Sequence, residues 1–407
     1  MSNSKRVLKT LSPLFLGMSL LFIGNGLVVS SLSALLKQRE VGEIAIGLIN
    51  SCFFIGAIIS TLTSFIIISK VGHIRAFAIF SALFAVCSMF YELSDNLYFW
   101  AFLRAGLGYC YYALLVVIES WLNQRAKNTN RSRILAIYEG VFYVSFSVGI
   151  LILALNLRPT QIFIISAAFI MISSIPLNLI RIKEPEIPAK KSVSLPKIFS
   201  IAPLALLGSV IAGVLINGFF SMATIFILSQ NFSLSQASYF MTIAMIGGFV
   251  SQFFIGQLSD RYGRRLAIIL ATFISLLSAV LFLFFIGQIH VQFCLAFFLG
   301  SGVFCLYALS LARANDMLEH KSQSVEVGRT LLFSYSLGSL LSSTIMGFMI
   351  SFFGTLGFIY VYIALLFILM VFAITQKSVP FSDRRSYNPH TIKTIAIDKL
   401  EAKKANE

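Results

Sequence analysis

The chain has 407 residues, of which 58% are apolar and only 12% are charged, and its formal net charge is +15 at pH 7. With a mean hydropathy of +0.89, it has too little polar surface to cover a water-soluble globule. The composition therefore excludes a soluble globular domain and indicates an integral membrane protein.

Twelve apolar runs follow one another along the chain. Each is long enough to cross a hydrocarbon core of about 30 Å as a helix, which takes roughly 20 residues. Their apolar residues are continuous rather than alternating, which argues against a membrane β-barrel. The fold class predicted is all-α integral membrane, with twelve transmembrane helices. They cover residues 12–36, 43–69, 75–93, 97–121, 133–155, 160–181, 201–229, 236–258, 266–287, 290–314, 329–353 and 357–376.

Lysine and arginine are distributed by loop and do not gather in one patch. Of the 31 basic residues, 27 fall in the termini and in alternate loops, Arg104 lies inside a span, and the opposite loops hold only Lys37, Arg39 and Arg158. Since cytoplasmic loops retain Lys and Arg, this asymmetry predicts that both termini are cytoplasmic and that the number of spans is even. Anionic lipid headgroups, and no nucleic acid, are the expected neighbours of this charge.

The longest polar connection divides the chain into two halves. Residues 182–200 contain three Pro, four Lys and two Glu without apolar periodicity, which is typical of a linker. The sequence therefore predicts four regions: an N-terminal six-helix half (1–181), a cytoplasmic linker (182–200), a C-terminal six-helix half (201–376) and a cytoplasmic tail (377–407).

Short matches between the halves indicate an internal repeat, and their offsets are nearly constant. The offset is 191 between IGAIIS (55–60) and IGGFVS (246–251), 192 between the Asn-Gly pairs at 25–26 and 217–218, and 195 between CYYAL (110–114) and CLYAL (305–309). Matching spans run in the same direction, so the repeat is parallel, with its axis along the membrane normal. Gly56 and Gly247 are expected to serve close helix packing.

The turn between spans eight and nine carries the most specific motif, GQLSDRYGRR at residues 256–265. It matches the loop signature G-x-L-x-D-R-x-G-R-R/K of the major facilitator superfamily, which the chain resembles over about residues 10–376. A merely basic turn would need neither the aspartate nor the glycines. The residues assigned to this conformational loop motif are Gly256, Asp260, Arg261, Gly263, Arg264 and Arg265.

The first half carries a degraded copy of this motif, with Ser69 in the place of the acid. Together with ESWLN at 119–123, the segment GHIRAFA at 72–78 resembles a branch of bacterial facilitators typified by YcaD, whose substrates are largely unassigned. The resemblance implies a secondary or facilitative carrier in the bacterial cytoplasmic (inner) membrane that works by alternating access.

Few ionisable residues lie within the spans, where an unpaired charge is expensive. Arg104 resembles, with Gly108, the R-x-x-x-G element of the family's fourth span. It is interpreted either as a group that binds anionic solutes or takes part in proton coupling, or as a side chain that snorkels to the outer interface. Since neither Asp nor Glu lies near the middle of a span, a cation neutralised by a buried carboxylate is less favoured.

Four polar residues near the midplane are candidates for a substrate cavity. In the resembled family, spans one, four, seven and ten line the cavity between the halves, so the resemblance assigns these four residues to it, with Arg104. Polar groups amid aromatic walls suit a small amphipathic organic solute. Hydrogen bonding between helices is the alternative for both asparagines. The four residues are Asn25, Tyr112, Asn217 and Tyr307.

Glu119 and Glu139, near the cytoplasmic ends of spans four and five, are candidate gate or coupling residues; the alternative for both is a structural ion network with the nearby arginines. The offset of 195 carries Glu119 onto Ala314, next to Arg313, which predicts a Glu119–Arg313 salt bridge that closes the cytoplasmic gate. The alternative is local pairing, with Glu119 on Arg125 or Arg133 and Arg313 on Asp316 or a lipid phosphate.

The leading interpretation is a secondary transporter of a small organic solute, with protons as candidate coupling ions. The alternative is a transporter-like sensor that binds a solute without net transport. An enzyme, a metal site and other cofactors are not expected, because the histidines fall in predicted loops or in the tail; they are His73, His290, His320 and His390. The expected partners are a small-molecule substrate, membrane lipids and protons, and the expected state is a monomer.

Overall fold

The computed structural model describes residues 3–125, 131–179, 202–318 and 324–378. Within these ranges the chain forms helices and no strand, and twelve segments are long and apolar enough to cross a membrane. Their ends fall within a few residues of the predicted spans, so the predicted all-α membrane fold is confirmed. The predicted linker 182–200 and the tail beyond residue 378 lie almost wholly outside the described residues.

Among the described residues, seven helices form the six spans of the first half. The sixth span is divided at Ser173 and Ser174, and Pro176 occupies the first turn of the helix that follows, where its missing N–H costs nothing. Short 3₁₀ turns follow α3 at Phe90–Leu93 and α5 at Leu153–Leu155. The helices are α1 (Asn3–Gln38), α2 (Glu43–Val71), α3 (His73–Met89), α4 (Leu97–Arg125), α5 (Arg131–Ile152), α6 (Pro159–Ile172) and α7 (Ile175–Asn178).

Within residues 202–318 and 324–378, seven more helices form the six spans of the second half. The tenth span, predicted as one helix, is divided between α11 and α12 at Phe304 and Cys305. Gly300 and Gly302 lie in the last turn of α11, where glycine weakens the helix. The helices are α8 (Pro203–Leu228), α9 (Leu234–Tyr262), α10 (Arg264–Phe282), α11 (Ile289–Val303), α12 (Leu306–Asp316), α13 (Ser324–Phe353) and α14 (Leu356–Thr375).

By its internal contacts the chain divides into two compact units. Unit 1 comprises residues 1–36 and 48–191, and unit 2 comprises residues 37–47 and 192–407. The segment 37–47 therefore packs with the second half although it precedes most of α2 in the chain. A Cβ atom at Gly47 would overlap the carbonyl oxygen of Ser343 on α13. The domain boundaries drawn from the sequence at 181 and 200 stay a prediction.

The same helix crossing occurs once in each unit. In unit 1 a Cβ at Gly56 of α2 would overlap the Ala105 carbonyl of α4, and a Cβ at Gly108 of α4 would overlap the Phe53 carbonyl of α2. In unit 2 the same relation joins α9 and α11. These glycines permit backbone-to-backbone packing, as expected for Gly56 and Gly247. The corresponding pairs in unit 2 are Gly247 with the Phe297 carbonyl and Gly300 with the Ala244 carbonyl.

These crossings fix the register of the repeat in space. The offset is 191 from α2 to α9, as in Gly56 and Gly247, and 192 from α4 to α11, as in Gly108 and Gly300. Beyond the break in the tenth span it becomes 195, as in CYYAL and CLYAL. Three additional residues at the break account for the change.

Candidate functional site

The turn between α9 and α10 depends on the backbone of one glycine. Gly263 has φ 101° and ψ 153°, a region that side chains disfavour, and it both ends α9 and begins α10. Gly72 takes the corresponding place between α2 and α3, with φ 84°. The motif glycine thus lets two spans follow each other with a single intervening residue.

Arg264 is the centre of a buried ion-pair network at this turn. Its Nη1 donates to Asp260 Oδ1 at 2.6 Å and to Ser259 Oγ at 2.8 Å, and its Nε donates to Asp316 Oδ2 at 3.0 Å. The side chains of Arg264 and Asp316 are 1% and 0% exposed, whereas that of Asp260 is 42% exposed. The network joins the α9–α10 turn to the end of α12.

Asp316 was not among the residues selected from the sequence, except as an alternative partner of Arg313. The structure places Asp316 in an ion pair with Arg264 and also within electrostatic range of Arg313, so the pairing of Arg313 with Asp316 stays a prediction. Fifty-two residues separate the two in sequence, so neither spacing nor the loop signature connects them. An acidic residue placed where a span ends was the only available signal.

Two further arginines hold the C-terminal end of α14. Arg265 donates from Nε to the Ala373 carbonyl at 3.0 Å and from Nη2 to the Ile374 carbonyl at 2.6 Å. Arg313, buried on α12, donates from Nη2 to the Lys377 carbonyl. The bonds from Arg265 reach carbonyl groups of the last helical turn, and the bond from Arg313 reaches the chain two residues beyond it. The motif thus ties α9, α10, α12 and α14 together within unit 2.

The other motif residues surround this network. The Arg261 guanidinium lies 5.3 Å from the centre of the Tyr262 ring, at the end of α9. Gly256 lies two turns earlier on the same helix and is buried. The Glu119–Arg313 gate stays a prediction. Within unit 2, Arg313 donates to the Lys377 carbonyl and lies within electrostatic range of Asp316.

Arg104 is buried in unit 1 and is only 2% exposed, so it does not snorkel to an outer surface. Its guanidinium carbon lies 5.0 Å from the centre of the Phe53 ring on α2. The R-x-x-x-G spacing explains this contact, because Gly108, one turn further along α4, admits the backbone of Phe53 against α4. The Tyr91 hydroxyl and the Cys52 thiol lie within electrostatic range of the guanidinium.

Tyr112 is half-buried on α4 and contacts the rings of Phe53 and Tyr111, with centroid separations of 6.2 and 5.9 Å. Glu119 lies two turns further along the same face of α4 and within electrostatic range of Tyr112. Glu119 and Glu139 are both buried, and the buried Tyr138 lies within electrostatic range of both. The aromatic face of α4 thus continues to the two carboxyl groups.

The two asparagines differ in their surroundings. The Asn217 amide on α8 donates to Tyr335 Oη and Ser339 Oγ, each at 2.7 Å, and both partners lie on α13. These bonds support the alternative in which Asn217 joins two helices. Asn25 is 2% exposed on α1, and its Oδ1 atom has no hydrogen-bond partner within the described residues.

Tyr307 is buried at the start of α12, and its ring centre lies 5.0 Å from that of Tyr335. Asn217, Tyr307, Tyr335 and Ser339 thus form one polar and aromatic cluster of unit 2. Tyr335 and Ser339 were not predicted, since a tyrosine and a serine within an apolar span are too common to be selected.

The sequence placed His73 in a loop, and the structure corrects this: His73 is the first residue of α3 and is buried. His290 is the second residue of α11. Within the described ranges, no three His, Cys, Asp or Glu side chains are grouped so as to hold a metal ion.

Twelve membrane-spanning segments in a parallel repeat, with this loop motif, define a class of membrane transporter. The family model of the Major Facilitator Superfamily matches residues 14–331, and the chain belongs to that family. The MFS-type transporter YcaD of Escherichia fergusonii is 26% identical over 334 residues, covering 80% of this chain and 85% of the relative. YcaD of Salmonella arizonae is 26% identical over 341 residues, covering 81% and 85%.

Solved transporter structures share the fold. The nucleoside transporter NupG superposes with a TM-score of 0.74 at 17% identity, covering 91% of this chain and 98% of NupG. A bacterial homologue of the human lysosomal transporter Spinster, inward-facing and occupied, gives 0.68 at 15% identity, covering 93% and 98%. A variant of the Escherichia coli fucose:proton symporter FucP gives 0.56 at 15% identity, covering 91% and 100%.

Proposed function

We propose that the protein moves a small organic solute across the bacterial cytoplasmic membrane by alternating access, with both termini in the cytoplasm. The observation that carries the proposal is the buried Arg264–Asp316 pair at the loop motif. A connection between two spans requires no buried ion pair, and burying one is costly. Such a network is useful where several helix ends must move as one body, as in a transporter that alternates between two states.

Polar groups within the spans support the binding of a solute. Arg104, Tyr112 and the Asn217–Tyr335 cluster are hydrogen-bonding groups amid aromatic side chains. Such surroundings suit an organic molecule with both polar and apolar parts. NupG and FucP, which share the fold, are named for a nucleoside and for fucose with a proton, both of them small solutes.

Protons are the proposed coupling ions, with Glu119 and Glu139 as their carriers. Both carboxyl groups are buried near the cytoplasmic ends of α4 and α5, and Tyr138 lies within electrostatic range of each. A buried carboxyl group can take up a proton at lower cost than it can hold a charge. Uptake and release of protons there would bias the equilibrium between conformations.

The test is a solute screen with purified protein, followed by flux in proteoliposomes. A solute that binds should also accumulate against or equilibrate down its gradient, and an imposed pH gradient should change the initial rate. Glu119→Gln and Glu139→Gln should each weaken this pH response. Binding with no flux would contradict transport and would favour the sensor.

A further inference from the structure

We propose that Arg104 binds an oxyanion group of the transported solute, with Tyr91 as a second donor and Phe53 as the ring that occupies the guanidinium face before the anion arrives. The inference rests on the proposed transport function and specifies its substrate class as small organic anions. It is carried by two buried polar side chains of unit 1 that have N–H or O–H groups without a hydrogen-bond partner among the described residues, and by a comparison with the second repeat.

The first observation is the uncompensated charge of Arg104. Its Nε and Nη1 atoms are buried and have no hydrogen-bond partner among the described residues. The groups within electrostatic range are Tyr91 and Cys52, and both are neutral as a phenol and a thiol. A charge within a membrane span normally faces a partner or a solute pathway, because burying it alone is expensive. The planar guanidinium presents N–H groups in pairs, Nε with Nη2 and Nη1 with Nη2, and either pair matches an oxyanion.

The second observation is the hydroxyl group of Tyr91, which is also buried and, in the part of the chain that the structure describes, without a hydrogen-bond partner. The Tyr91 ring is fixed between Trp100, at 4.8 Å, and Phe163, at 5.3 Å. Trp100 is held in turn by a bond of 2.8 Å from its Nε1 to the Ser94 carbonyl. A rigid phenol near the guanidinium provides a further O–H donor for the same anion.

The π face of Phe53 lies against the guanidinium, and it is a weaker partner than an oxyanion. Phe53 also contacts Tyr112, the half-buried residue assigned to the cavity by family resemblance. If the Phe53 ring rotates away from the guanidinium, an oxyanion can take its place beside Arg104. Phe53 therefore links the charge to the proposed solute pathway.

The second repeat serves as an internal comparison. Its α9–α11 crossing has the same reciprocal glycine contacts as the α2–α4 crossing. At offsets of 191 and 192, however, Phe53 corresponds to Ala244 and Arg104 corresponds to Ala296. The crossing therefore forms without an arginine or an aromatic ring. Helix packing does not account for Arg104 and Phe53, which favours a role in binding.

The native Cys52 allows a direct test, because it lies next to Phe53 and within electrostatic range of Arg104. In full-length protein that retains only Cys52, the thiol is modified with methanethiosulfonates that carry either a sulfonate or a trimethylammonium group. Rates are divided by those for a free thiol. We expect about a tenfold preference for the sulfonate reagent, since a buried positive charge concentrates anions.

The variants separate the effect of the Arg104 charge on the reaction rate from the effect of reagent access to Cys52. Arg104→Gln should abolish the preference, Arg104→Lys should retain part of it, and Phe53→Leu should accelerate the sulfonate reaction about threefold by removing the competing ring. The control retains only the exposed Cys294, where Arg104→Gln should leave both rates unchanged. Phe53→Leu keeps the charge, so it remains informative should Arg104→Gln fold poorly.

Equal rates with the two reagents, or no reaction of Cys52 with the sulfonate reagent, would overturn the anion site. Either result would leave proteoliposome flux as an independent measure of transport. Conversely, an Arg104-dependent preference without flux of any bound solute would leave the anion site intact and would contradict transport.

Discussion

Arg104 and Arg264 both have buried guanidinium groups, but the groups that surround them differ. Arg264 is neutralised by Asp316 and Asp260 and is bonded on three sides, which is typical of a structural ion pair. Arg104 has an aromatic ring and neutral groups around it. Burial alone therefore does not separate a binding residue from a structural one, and the identity of the partners does.

At the scale of single residues, we expect Asp316→Asn to lower the free energy of unfolding more than Asp260→Asn does. Removing the fully buried carboxylate leaves the buried charge of Arg264 with only the partly exposed carboxylate of Asp260, and breaking a buried pair costs about 3–5 kcal/mol. Asp260 is 42% exposed, so its pair contributes about 0–1 kcal/mol. Thermal unfolding in detergent measures both effects. Equal losses in the two variants would show that Asp316 is not the main partner of Arg264.

The loop signature predicted Arg264 and Asp260, because that motif is local and specific. It could not predict Asp316, whose pairing depends on how α12 ends near the turn. Phe53 and Tyr91 were missed for another reason. Aromatic residues make up 14% of the chain, so one ring in a span has no distinguishing signal until its neighbours are known.

At the scale of the helices, hydropathy predicted all twelve spans but neither of the internal breaks. The sixth and tenth spans each have a high mean hydropathy, so a window of about 20 residues passes over the breaks at 173–174 and 304–305. Pro176 and the glycines of α11 were the local signals for them. Close packing was expected at Gly56 and Gly247, but the backbone contacts of Gly108 and Gly300 were not predictable, because they depend on how the helices cross.

The α2–α4 and α9–α11 crossings predict which Gly→Ala substitutions destabilise the protein. Gly108→Ala and Gly300→Ala should each destabilise the protein by about 1–3 kcal/mol, since the added methyl would overlap a carbonyl oxygen of the facing helix. Gly140→Ala on α5 is the matched control, because a Cβ there would meet nothing within 4 Å. It should be neutral or stabilising by about 0.5–1 kcal/mol, as alanine favours a helix. Thermal unfolding of the three variants measures the difference.

If Gly108→Ala and Gly140→Ala unfold at the same temperature, the α2–α4 backbone contact is wrong. The placement of Phe53 over Arg104 would then lose its physical basis as well, because Gly108 is what admits the Phe53 backbone.

For the molecule as a whole, the asymmetric distribution of basic residues predicts the orientation in the membrane. In a protein freed of its native cysteines, Thr129→Cys and Lys190→Cys should react only with reagents applied from the cytoplasm, and Asp95→Cys only from the periplasm. The first two positions lie outside the described residues, and Asp95 is exposed after α3. Periplasmic labelling at Lys190→Cys would contradict an even number of spans before the linker.

The segment 37–47 has a consequence for the order in which the protein is assembled. It is synthesised with the second span, but Gly47 lies against Ser343, and Gly347 against the Glu43 carbonyl, so both contacts join the segment to the eleventh span. A ribosome therefore delivers this segment long before the helix that holds it. A first-half polypeptide that ends at the linker would carry the segment 37–47 without α13, against which it packs. We therefore expect that the first half does not complete its folding before the second half is made.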